Sequence, residues 1–129
     1  MKVRLEGLQR AQQAALAAVR SVAPEGPLGA AVQAGLLEAE RRVVARTPVD
    51  TGSWRAAHRP HRAGLRGWID LPQGAKNVRS GVRVTVYAKA LAQRAPSRYD
   101  VYALDAGDSQ AVLQVASRAF AGAWQEILP

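Results

Sequence analysis

His58 and His61 are the only imidazoles in the chain, and Ser53 stands five residues ahead of the first. Three positions apart with Pro60 between them, the histidines could give a metal ion two ligands, whereas a structural zinc site takes about four. No cysteine exists, and no carboxylate lies nearby at ligand spacing. Ser53 with His58 and a distant aspartate would be the bare makings of a nucleophilic triad, yet nothing resembles a nucleophile elbow or an oxyanion loop. No glycine-rich phosphate cradle is present either. The expectation is a chain with no catalytic residues, no metal and no cofactor.

Charge is the more informative chemistry. Arg55, Arg59, Arg62 and Arg66 crowd into one segment with both histidines, and Lys76, Arg79 and Arg83 follow around a polar stretch. The whole chain carries a formal charge of +8, with arginine far outnumbering lysine. Such an excess argues about partners and not about fold. Three readings stay open for the arginines: a solvated surface, contact with an acidic protein, or neutralised phosphates, which would make binding fall steeply with salt. No helix-turn-helix, zinc-finger or RNA-recognition pattern accompanies them, and aromatics for base stacking are few.

These groups need elements to hold them. At 129 residues, nearly half of them hydrophobic, the chain is expected to form a single domain over 1–129 with a real core. No run of about 18 apolar residues suggests a membrane span, the N-terminus does not read as a signal peptide, and the absence of cysteine fits a reducing compartment. Residues 3–22 predict a helix whose apolar stripe is Leu5, Leu8, Ala11, Ala15, Val19 and Val22, with Leu16 at its edge. Pro24-Glu25-Gly26-Pro27 breaks it. Residues 28–46 predict a second helix striped by Leu28, Val32, Leu36, Ala39 and Val43, with Glu38 and Arg42 paired on its polar side.

The stop after Arg46 is sharp. Pro48 biases Thr47 out of the helical region, Asp50 and Thr51 can bond nearby backbone N–H groups, and Gly52 can take a positive φ. Trp54 would pin this corner to the core beneath, with Arg55 beside it. Beyond it, 56–64, with Pro60 and Gly64, reads as irregular or only briefly helical. A period of two over 65–71 and again over 82–87 predicts strands, joined by a long polar loop at 72–81 that should project from the sheet. A third strand is expected over 99–107, ending at Gly107. A last helix over 109–128, capped by Ser109, carries Val112, Ala116, Ala119, Phe120, Ala123, Trp124 and Ile127 on its apolar face. The order implies an α+β fold: an antiparallel sheet of three to four strands, with two N-terminal helices and one C-terminal helix packed against it. Trp54, Trp68 and Trp124 are expected in the core, or in a subunit interface where exposed.

Thr47-Pro48-Val49-Asp50-Thr51-Gly52-Ser53-Trp54-Arg55, closing a helix rich in alanine and valine, resembles the tail-completion (minor tail, or head–tail connector) proteins of long-tailed, lambda-like phages. In that family a segment of the form Pro-Val-Asp-Thr-Gly-x-Leu-Arg ends the long N-terminal helix, and a tyrosine-alanine, acidic, glycine motif follows some tens of residues later. Tyr102-Ala103-Leu104-Asp105-Ala106-Gly107 is its counterpart here, with Trp54 in place of leucine, Asp105 in place of glutamate and Ala106 in place of an aromatic. The resemblance covers the chain from about residue 28 onward. It implies a non-enzymatic virion protein at the head-to-tail joint, made in the host cytoplasm and assembled as a homohexameric ring. Its partners would be copies of itself, the tail tube or tail terminator protein, the head connector or portal-adaptor protein, and phage DNA passing through the lumen, with no membrane contact. Tail terminator or connector stopper is the neighbouring reading, and a small basic nucleic-acid-binding protein the reading from another class. In the ring, Arg59, Arg62, Arg66, Lys76 and Arg79 would reach adjoining subunits.

Overall fold

A computed structural model describes residues 2–48 and 52–128, for 2–8 and 96–97 the backbone alone. Asp50 and Thr51, and the side chains of Leu5 and Leu8, therefore lie outside what is described. The chain is mostly helical. Helix α1 spans Lys2–Ser21, α2 Pro27–Arg46, the short α3 Ser53–Ala57, α4 Val84–Arg94, the single turn α5 Pro96–Tyr99, and α6 Ala106–Ile127. Among the described residues the only sheet is one antiparallel hairpin, β1 (Arg59–Ala63) and β2 (Arg66–Asp70).

This overturns the expected sheet of three to four strands. The strand predicted over 82–87 is the start of α4. Its β-branched alternation lasts only from Val82 to Val86, whereas Ala88–Arg94 is made of strong helix formers. Val84, Tyr87, Ala88 and Leu91 also recur at helical spacing and turn toward the core. The strand predicted over 99–107 is absent for a different reason. Val101 is buried, but Tyr102 through Gly107 are exposed, and Asp105 starts a helix instead. Its carboxylate accepts from the Asp108 N–H at 2.8 Å, while the Asp108 carboxylate accepts from the Asp105 N–H at 3.0 Å. This reciprocal capping box places the N-cap at Asp105 and not at Ser109, and puts Gly107 in the first turn of α6.

The strand predicted over 65–71 is borne out as β2. Its partner β1 was hidden in sequence by Arg-Pro-His-Arg, but a two-stranded ribbon has only edge strands, where proline is tolerated. Ala63 pairs with Arg66, leaving a two-residue turn with Gly64 at φ +61°. Glycine at the first central position matches the twist of paired strands.

Helix α2 is the central element. Pro27 opens it and Thr47 ends it in extended conformation, as Pro48 predicts. Glu38 accepts from Arg42 at 3.1 Å as expected, and also from Arg41. The apolar side of α6 packs antiparallel along α2, and the hairpin packs beside it. A compact core gathers Val43, Trp54, Ala57, Val84, Ala88 and Val101 near the C-terminal end of α2.

Two further expectations change. The 72–81 segment does not project freely. Asn77 is buried, its side-chain oxygen accepts from the Arg79 and Ser80 N–H groups, and the Val78 N–H donates to Ser53 Oγ at 3.1 Å. Among the described side chains of α1 the buried positions are Ala17 and Ser21, four apart, while Ala11, Ala15, Leu16 and Val19, with Val22 just beyond the helix, are exposed. The described part of the predicted stripe, from Ala11 onward, is thus turned away from the rest of the fold.

Candidate functional site

The corner after α2 and the Tyr102–Gly107 segment, far apart in sequence, meet at one place. Gly52 has φ +81°, the left-handed conformation expected of it, and this turns the chain so that Trp54 enters the core at 3% exposure. Arg55 folds back on the corner, donating from Nε and Nη2 to the Thr47 carbonyl at 3.2 and 3.0 Å. Arg55 is thereby a clasp for the turn and not a surface contact.

Beneath the clasp runs a polar chain that starts at buried Thr47 and His58 and ends at the more exposed Tyr102. Thr47 Oγ1 donates to the Val43 carbonyl at 2.8 Å and lies 2.8 Å from His58 Nε2. Since the hydroxyl proton is committed to the carbonyl, Nε2 must carry the imidazole proton and donate to Thr47. Nδ1 is then the acceptor for the Tyr102 hydroxyl at 3.2 Å, and Trp54 Nε1–H reaches the same hydroxyl at 3.5 Å. Burial holds the His58 imidazole below its ordinary value, so it is neutral as this chain requires. Burial likewise pushes the Tyr102 phenol up, with the Trp54 bond acting the other way and the Asp70 charge adding to the rise.

Ionic contacts fasten the same two segments alongside. Asp108, buried in the first turn of α6, accepts from Arg42 Nη1 at 2.9 Å and from Arg46 Nη2. Arg46 also donates to the Ala103 carbonyl at 3.1 Å and approaches Asp105 at 3.6 Å. The geometry suits both helices, because carboxylates favour the positive N-terminus of α6 and arginines the negative C-terminus of α2. Arg42, Arg46, Thr47 and Asp108 were not singled out as site residues from the sequence, and His58 was weighed only as a metal ligand or a triad member. The i,i+4 spacing of Arg42 and Arg46 and the Asp105/Asp108 spacing were the only available signals.

The histidine pair does not converge. His58 is in the core, whereas His61 lies on the outer face of the hairpin, 2.9 Å from Asp70 and stacked on Trp68 at 5.6 Å. No group of three or more His, Cys, Asp and Glu side chains gathers among the described residues. Ser53 accepts from the Val78 N–H and does not meet His58.

The basic residues divide. Arg59 donates to the Ala56 and His58 carbonyls, and Arg62 to the Pro24 and Gly64 carbonyls, so both brace turns. Arg66, Lys76 and Arg79 are exposed, and Lys76 bridges Arg83 through its backbone. Trp68, expected in the core, is 43% exposed. Trp124 is half-buried and stacks on Phe120.

One large apolar surface remains open. Between α2, α6 and the hairpin runs a trough of about 420 Å³, lined by residues that include Leu28, Val32, Leu36, Trp68 and Val112. Most of the expected stripe of α2 therefore lines a groove instead of a sealed core. No helix of the described residues is long and apolar enough to cross a membrane.

No protein-family model matches the chain, and neither a curated protein nor a solved structure shows a significant match to it.

Proposed function

We propose that this chain is a structural subunit at the head-to-tail joint of a long-tailed phage, closing into a ring, as a hexamer, that completes the tail and meets the head connector. DNA would pass through the lumen. One observation carries the reading: the two motifs of the resemblance meet, with the Trp54 Nε1–H reaching the Tyr102 hydroxyl, and residues flanking the corner reinforce the contact, His58 bonding Tyr102 and Arg46 approaching Asp105. A corner and a distant segment that share one polar network have a common structural purpose, which is to fix how α2, α3 and α6 present their outer surfaces. Of the polar groups that could have done chemistry, His58 is spent on that network while Ser53 and His61 bond elsewhere, and the open apolar trough lies on the outside, as suits a protein that works by contact.

Electron microscopy of virions lacking this protein tests the role. Full heads separate from finished tails are the expected result, and normal particles would exclude it.

The exposed part of the hairpin, where Trp68 also borders the trough, favours a second reading. Exposed Trp68 stacked on His61 beside Arg66 combines an aromatic platform with positive charge, as single-stranded nucleic-acid surfaces do. Gel shift at low and moderate salt separates the two. Binding that persists at physiological salt and is lost in Trp68→Ala supports nucleic-acid recognition, and its absence supports the structural role.

A further inference from the structure

The positive charge of this chain is concentrated in one segment. Between Asp70 and Asp100 the sequence holds six cations (Lys76, Arg79, Arg83, Lys89, Arg94 and Arg98) and no carboxylate, whereas the rest of the chain has twelve cations and ten carboxylates. All six are exposed. Two of them are held against each other. Lys76 and Arg83 stand directly opposite in an antiparallel bridge. The Asn77 N–H donates to the Val82 carbonyl at 2.8 Å and the Val84 N–H to the Ala75 carbonyl at 2.9 Å, one bond on either side of the pair. Lys76 and Arg83 are thus a non-hydrogen-bonded pair, the type in which side chains come closest, and like charges so placed repel. Among the described residues no carboxylate pairs with either. Arg83 also precedes the first turn of α4, the end at which a helix favours negative charge.

The loop is fastened too firmly to ease the two cations apart. Its Gly81 N–H donates to the Asn77 carbonyl, the Asn77 side chain accepts from the Arg79 and Ser80 N–H groups, and the Val78 N–H is held by Ser53. We propose that Lys76 and Arg83, together with Arg94, bind the phosphate backbone of duplex DNA. An anion between the first two turns their repulsion into attraction. Arg94 follows Arg83 by eleven residues, close to three helical turns, so it lies on the same side of α4 about 16 Å away. One small anion cannot span that distance, but a polymer with a charge on every unit can. The segment's aromatics, Tyr87 and Tyr99, pack against the core, which leaves no platform for unpaired bases and no aromatic anchor for a protein partner. The proposal rests on the ring reading, which brings a duplex to the subunit, and it turns Lys76 toward the lumen and not toward an adjoining subunit.

Fluorescence anisotropy of the full chain with a short labelled duplex tests this. Three phosphate contacts predict an affinity loss of about 40-fold between 50 and 200 mM salt. Lys76→Gln with Arg83→Gln should weaken binding at the lower salt at least tenfold and cut that loss to about fourfold. Arg10→Gln with Arg118→Gln removes the same charge from exposed positions on α1 and α6 and should leave binding within about twofold. Equal weakening by both pairs would mean diffuse attraction and overturn the proposal. So would loss of duplex binding in Trp68→Ala, which would move the site to the hairpin, or displacement of the duplex by polyglutamate more readily than by unlabelled DNA. Lys76→Gln alone relieves repulsion, so its thermal midpoint should equal or exceed that of the unaltered chain, and a lower one would make Lys76 a structural residue and count against the site. If the Lys76/Arg83 variant binds duplex undiminished while virions lacking the protein separate into heads and tails, this face is wrong and the ring reading stands. If the face binds as expected and those virions are normal, the DNA site stands and the phage role falls.

Discussion

The Tyr102 hydroxyl lies 3.2 Å from Nδ1 of the buried His58, and this bond ties the segment before α6 to the corner after α2. Its direction follows from the rest of the chain: Thr47 gives its proton to Val43, His58 gives its own to Thr47, and Tyr102 must donate to His58. Removing the phenol oxygen therefore orphans a buried acceptor. Tyr102→Phe should lower stability by about 1–3 kcal/mol, read as a reduced urea midpoint with an unchanged slope. An unaltered midpoint would mean that the two segments are not coupled through this bond.

The same arrangement sets a pH dependence. The imidazole of His58 titrates lower in the folded chain than in the unfolded one because burial disfavours its charged form. The unfolded state then binds more protons, and stability is lost as pH falls from about 6.5, the ordinary histidine value, through the depressed folded value. Above that window the contribution is complete. Urea unfolding between pH 5 and 8 should show this slope, and His58→Gln should flatten it. A wild-type curve already flat across the window would contradict a buried neutral imidazole.

Asp108 serves three partners at once: Arg42, Arg46 and the Asp105 N–H. Asp108→Asn leaves two partly exposed arginines, which keep Glu38, Asp105 and the Ala103 carbonyl as partners, facing a neutral group. Weakening hydrogen bonds to a charged group costs about 1.5–3 kcal/mol. Asp105→Ala removes the exposed half of the capping box and should cost only about 1 kcal/mol. The order of the two thermal midpoints is the check. Equal effects would mean that Asp108 acts as a cap alone.

A Cβ at Gly52 would meet nothing within 4 Å, yet the backbone there is left-handed at φ +81°. Gly52→Val should therefore destabilise by about 1–2 kcal/mol through backbone strain alone, and Gly52→Asn by clearly less, since asparagine visits this region. Similar midpoints for the two variants would show that the corner relaxes into another conformation.

Sequence alone determined the features whose causes are local. Pro48 ends α2 because it restricts the residue before it, Gly52 turns left because only its backbone does so freely, and the stripe of α2 follows from spacing. What only tertiary structure decided depends on partners distant in the chain. Val82 to Val86 alternates like a strand, but Val84 and Ala88 find Val43 and Trp54 by joining a helix, and packing outweighs so short an alternation. His58 and His61 look like a pair, but one faces the core and the other lies across the hairpin from Trp68. The arginines at 59 and 62 look like a basic surface, but each finds backbone carbonyls to brace. Composition cannot foresee which carbonyls a fold leaves open, and so which arginines brace turns was decided in three dimensions.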